Sequence, residues 1–161
     1  ARAVLPAYWW AAAVAIVLAI VDLDTKRIPN RILYPGTVVG AVLLAAGALV
    51  DGEPAALLRA LGGGAGYFVL LLVVAIAARG GFGFGDVKLG FLLGIFLAYR
   101  SWGTLAVGVF GAFLAGGLAA VGLLAARRVG RRDAIPFGPA MVVGAFAAVA
   151  WGPQVAAWYL R

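Results

Sequence analysis

The 161-residue sequence contains no histidine and no cysteine. Without imidazole or thiol there is no Ser-His-Asp triad, no cysteine nucleophile and no imidazole base. The usual zinc and haem sites are excluded as well, because their ligand sets draw on imidazole or thiolate. Serine occurs once, at Ser101, and lysine twice, at Lys26 and Lys88. Charge is also scarce: 12% of residues are charged against 65% hydrophobic, and mean hydropathy is +1.07. Any acid–base chemistry therefore belongs to carboxylates.

Long apolar runs fill the space that polar residues leave. Windows of about 19 apolar residues, enough to cross roughly 30 Å of bilayer hydrocarbon, fall at 3–21, 32–50, 60–78, 101–125 and 134–160. A sixth, 87–99, is short. A secretory signal peptide would give one such run and then polar sequence, whereas here the apolar runs recur along the whole chain. The expected fold class is all-α, a polytopic membrane protein of about six transmembrane helices, with a single domain over 1–161. The chain starts at Ala1 without Met, which leaves open a segment before it.

The cations orient this bundle. If the loops at 23–31, 79–88 and 126–133 share one side, that side holds Lys26, Arg27, Arg31, Arg79, Lys88, Arg127, Arg128, Arg131 and Arg132, nine of the thirteen Lys and Arg. By the positive-inside rule that side is cytoplasmic and both termini lie outside. The net charge of +7 then reflects topology and contact with anionic membrane lipid. No soluble domain presents a groove-reading element, so no nucleic-acid partner is expected.

Of the six carboxylates, Asp51 and Glu53 sit in a polar DGEP turn and Asp133 lies beside Arg131 and Arg132, all read as loop charges. Asp22 and Asp24 close the first apolar run, in AIVLAIVDLDTKRIPN. Two residues on a helix are about 200° apart, so only one of these acids can face a bundle. Asp22, nearer the hydrocarbon, is the inward choice; a plain membrane-exit role for both is the alternative.

Asp86 ends the run GFGFGD, and the apolar stretch after it, Val87 to Tyr99, is too short to span alone, at about 20 Å. The glycine run is therefore expected to begin inside the membrane boundary, where irregular backbone needs protein or water around it. Gly81, Gly83 and Gly85 would supply positive φ angles and close approach, and Asp86 a helix N-terminus. Two carboxylates within a few ångströms share a proton, so one can activate water while the other donates to a scissile carbonyl.

Three segments now carry a resemblance. VDLDTKRIPN at 21–30, GFGDVKLG at 83–90 and AIPFGPAM at 134–141 together resemble the type IV prepilin leader peptidases, membrane aspartyl proteases of the GxGD type related to the archaeal preflagellin peptidases. The resemblance implies that Asp22 and Asp86 are the catalytic pair, with no metal and no cofactor, and that Asp24 matches a variable position. It also implies a bacterial inner-membrane enzyme that cuts the basic leader from prepilins or pseudopilins on the cytoplasmic side.

Supporting roles come from the same resemblance. Pro29 and Asn30 form the turn after Asp22; Gly83 and Gly85 open the loop and offer N–H groups to a developing oxyanion. Lys88 either biases the protonation of the pair or snorkels to the interface. Pro136, Phe137, Gly138 and Pro139 either pack against the catalytic loop and hold extended substrate, or simply start a helix. Small-residue stripes, Gly108, Ala112, Gly116, Ala120 and Gly90, Gly94, read as helix packing within the bundle or in a homodimer.

The chain departs from longer bacterial members, whose extra cytoplasmic region carries paired cysteines and N-methyltransferase activity; with zero Cys here, that activity is not assigned to this sequence. Two other readings remain: a metal-dependent membrane enzyme built on Asp22, Asp24 and Asp86, and a non-enzymatic channel or transporter subunit with an ion site at the broken helix.

Overall fold

Six helices match the six apolar runs. The computed structural model describes residues 3–79, 81–127 and 135–159, so the expectations for Asp133, Arg128, Arg131 and Arg132 fall outside the described residues. The helices are α1 (Leu5–Thr25), α2 (Asn30–Val50), α3 (Pro54–Ala77), α4 (Phe84–Arg100), α5 (Trp102–Ala125) and α6 (Gly138–Tyr159). Five of them are long and apolar enough to cross a membrane; α4, with 17 residues, is the exception. The protein is an all-α, polytopic membrane protein.

Local chemistry sets the helix boundaries. Proline stands in the first turn of α1 and α3, where its missing N–H has no partner to lose. α1 ends at Lys26, whose left-handed backbone (φ 53°) lets its N–H donate to the Asp22 carbonyl at 2.8 Å. Pro29 is the N-cap of α2. A single extended residue, Ser101, joins α4 to α5, and its Oγ accepts the Thr104 N–H at 3.0 Å as an N-cap.

α4 is the axis of the bundle. It touches each of the other five helices, which close a ring around it in the order α1, α2, α3, α5, α6. From Leu92 to Tyr99 every residue of α4 is buried. The most extensive pairings are α3 on α4 and α5 on α6, and both are glycine contacts. A Cβ on Gly94 would lie 2.8 Å from the Gly63 carbonyl oxygen and 2.9 Å from Gly64 Cα. One on Gly144 would strike the backbone of α5 at Gly108, Gly111 and Ala112. The small-residue stripes at Gly90, Gly94, Gly108 and Ala112 are thus occupied within the chain.

At the end opposite the GFGFGD loop, Arg59 from α3 caps α4. Its Nε donates to the Ala98 carbonyl at 2.7 Å and a second nitrogen donates to Tyr99, satisfying carbonyls that a helix C-terminus leaves open. Beside it the Ala3 N–H donates to both oxygens of Asp51, at 3.3 and 3.2 Å. Asp51 therefore ties the start of the chain to the α2–α3 turn, where the sequence suggested only solvation.

Candidate active site

The loops at one end of the bundle bring the three sequence segments together. Asp22 occupies the last turn of α1 and is buried (4% exposed), while Asp24 is exposed, as their angular separation on the helix requires. Asp86 lies in the first turn of α4 and is also buried (7% exposed). Among the described residues these are the two buried acids, and the helices that carry them, α1 and α4, are in contact.

The GFGFGD loop differs in two ways from its sequence reading. α4 starts at Phe84, ahead of the apolar run at 87–99, with Gly83 as the N-cap, so that Asp86 keeps its expected place at the helix N-terminus but within the first turn. Nor do Gly81, Gly83 and Gly85 take positive φ; of the described glycines only Gly52 does. What the loop needs is close approach. A Cβ on Gly85 would lie 2.9 Å from Ile28 Cβ, and one on Gly83 would lie 3.2 Å from Asp86 Oδ2. Bare backbone at these points lets α4 settle against the Ile28-Pro29-Asn30 turn.

Lys88 joins two of the segments directly. Its Nζ donates to Asn30 Oδ1 at 3.1 Å and stands 5.1 and 5.0 Å from the ring centres of Tyr34 and Phe84. The ammonium is engaged on the α2 side of α4. Next to it, between α2, α3 and α4, is an apolar cavity of about 500 Å³ lined by Tyr34, Thr37, Phe68, Phe84, Lys88 and Phe91 among others. Asp86 does not line this cavity, which lies around α4 from the acid.

The third segment reaches the acids from α6. The Gly138 N–H donates to Asp22 Oδ2 at 3.1 Å, a buried bond between positions 116 residues apart. A Cβ at Gly138 would meet that oxygen at 2.7 Å. Phe137 stacks against Phe82 of the glycine loop at 5.3 Å and Phe113 of α5 at 5.4 Å. Pro136 precedes the helix and Pro139 is its second residue, so this motif both starts α6 and packs on the loop.

With these contacts in view, the family comparison has a structural setting. The family model described as the type IV leader peptidase family matches residues 9–121. The chain belongs to the type IV leader peptidase family. The match contains Asp22, Asn30, Asp86 and Lys88 and stops before 136–139. No curated protein and no solved structure matches the chain. Family membership makes this multi-pass membrane protein a leader-peptidase-like protease.

One buried group was not singled out by the sequence. Tyr67, in the middle of α3, is 2% exposed and its hydroxyl finds no hydrogen-bond partner among the described residues. Asp86 Oδ1 is likewise buried with no partner among the described residues. The only signal in the sequence was a hydroxyl amid GGGAGYFVLLLV, and its orientation depends on packing against α4.

Proposed function

We propose that the chain is an aspartic endopeptidase that removes the short basic leader of type IV prepilins or pseudopilins, on the cytoplasmic side of a bacterial inner membrane. The observation that carries this reading is the pair Asp22 and Asp86: two buried carboxylates from different helices at one end of the bundle, whose flanking segments meet where Gly85 packs on Ile28 and Phe82 on Phe137. In such a pair one proton is shared, and it belongs to the dyad rather than to either residue. The ionised carboxylate takes a proton from water as the water oxygen attacks the peptide carbonyl. The protonated carboxyl gives its proton to the carbonyl oxygen. The tetrahedral adduct then collapses: one of its hydroxyls returns a proton to the second carboxylate as the C=O re-forms, the C–N bond breaks, and the departing amine takes up the proton lifted from water, which restores the singly protonated pair.

The surroundings support this chemistry. The Gly138 N–H fixes the orientation of Asp22. Asp24 points outward and, among the described residues, no group of three acids assembles.

The test is cleavage of a type IV prepilin in membranes by the unaltered chain and by Asp22→Asn, Asp24→Asn and Asp86→Asn, with and without EDTA. Loss of about 10³-fold or more is expected for Asp22→Asn and for Asp86→Asn. Asp24→Asn should stay within about twofold, and EDTA should have no effect. Normal cleavage by both dyad variants would remove the mechanism, and inhibition by EDTA would replace it with a metal-dependent one.

A further inference from the structure

Phe137 is joined to the surroundings of both acids. Its carbonyl accepts the Met141 N–H at 3.1 Å and so opens α6. The next residue, Gly138, then presents an N–H that the helix itself leaves without a partner, and Asp22 Oδ2 accepts it at 3.1 Å. On the other side, the Phe137 ring lies 5.3 Å from that of Phe82. Phe82 immediately precedes Gly83, the N-cap of the helix that carries Asp86 in its first turn. The backbone at Phe137 thus leads to one acid, and its side chain bears on the segment that presents the other.

The ring has a seat on α5. Phe113 meets it at 5.4 Å, and three residues on, along the same helical face, Gly116 leaves the space that the ring fills. A Cβ on Gly116 would stand 2.5 Å from Phe137 Cε2 and 2.8 Å from Cδ2. Gly117, the next residue, has nothing within 4 Å of its would-be Cβ. Gly116, one of the stripe that the sequence offers for helix packing, therefore accommodates an aromatic ring. α5 contains no ionisable side chain, and this seat is where it meets the segment that holds Asp22.

We infer that Phe137 is a positioning residue for the Asp22 and Asp86 pair: its ring, held between Phe82 and the Phe113 and Gly116 seat of α5, sets the start of α6 against the start of α4 and with it the separation of the two carboxylates. The inference rests on the proposed dyad and deepens it, since it extends the site to α5. Stacked rings favour particular separations and a packed interior yields little, so the stack defines a distance as well as filling space. Two carboxylates act together on one water and one peptide carbonyl only at a matching separation, and an error of about 1 Å can lower the rate about 100-fold.

The test uses the full chain in detergent, with a type IV prepilin as substrate. Phe137→Leu keeps an apolar side chain and removes the ring. Gly116→Ala keeps the ring and pushes it off its seat from α5, which covers the case in which Phe137→Leu fails to fold. Their kcat should fall about 100-fold and about 10-fold respectively, with KM within about twofold, while Gly117→Ala stays within about twofold of the unaltered chain in both. A second measurement needs no substrate. Nitroxide labels on Asp24→Cys and Gly81→Cys, both exposed and the only thiols in such a chain, report the spacing between the end of α1 and the glycine loop. The distribution of that spacing should broaden in Phe137→Leu and Gly116→Ala and stay unaltered in Gly117→Ala. An unchanged kcat in Gly116→Ala, or an unchanged distribution whatever the rate, would overturn the inference and leave Phe137 a local packing role. Asp86→Asn is run in parallel. If it still cleaves, the dyad reading fails and this inference with it; if it is inactive while Phe137→Leu and Gly116→Ala behave as unaltered, only the inference fails.

Discussion

Asp22 depends on a residue that is remote in the chain. Its carboxylate is held by the Gly138 backbone N–H, and that position has no space for a side chain, since a Cβ would stand 2.7 Å from Oδ2 and 3.3 Å from Cγ. Gly138→Ala therefore has to displace the carboxylate. Misplacing a reacting group by about 1 Å can reduce the rate by about 100-fold, so prepilin cleavage by Gly138→Ala should fall to that extent while circular dichroism and thermal melting stay close to normal. Gly83→Ala should be milder, because its Cβ would meet Asp86 Oδ2 at 3.2 Å, a contact that small adjustments relieve. If Gly138→Ala cleaves at the normal rate, the hydrogen bond has no part in the activity.

At the scale of helices, the two heaviest contacts depend on glycine backbones meeting directly. Gly144→Leu has to force α6 away from the α5 backbone, and overpacking of this kind is destabilising by about 1–3 kcal/mol. Gly117, on α5 itself, has nothing within 4 Å of a would-be Cβ. Gly117→Ala should therefore be neutral or stabilising by up to about 1 kcal/mol, the gain in helix propensity. Thermal unfolding in detergent measures both, and equal effects would contradict the packing described. Six helices were legible because each apolar run is bounded by Pro, Gly or charge. The start of α4 was misread because Phe84, Gly85 and Asp86 look like loop in sequence; in the fold, packing of Gly85 on Ile28 draws them into a first turn. The inward face of Asp22 was legible from helical geometry alone. The Gly138 bond and the buried Tyr67 hydroxyl were not, since each exists only once α6 meets α1 or α3 meets α4.

Across the whole molecule, polar groups gather at the two ends and the ring of helices presents apolar side chains outward. Leu23, Val42, Val69, Val73, Leu118 and Val143 are among the large hydrophobics left exposed, as lipid contact requires. All five tryptophans lie toward the end away from the two acids, on α1, α5 and α6. The site end holds Lys26, Arg27, Arg31, Arg79 and Lys88, and the positive-inside rule is the ground for the proposed cytoplasmic orientation. A prepilin leader carries its basic residues on that same side, so orientation and substrate stand or fall together. The absence of cysteine makes this measurable without background. Arg27→Cys and Glu53→Cys each introduce one thiol at an exposed position, at opposite ends of the bundle. In intact spheroplasts a membrane-impermeant maleimide should label Glu53→Cys at once and Arg27→Cys only after the membrane is opened, with at least about a tenfold difference in rate expected from the bilayer barrier to a charged reagent. The reverse pattern would put Asp22 and Asp86 outside the cell, where a cytoplasmic leader cannot reach them, and would require a different substrate for the same carboxylate pair.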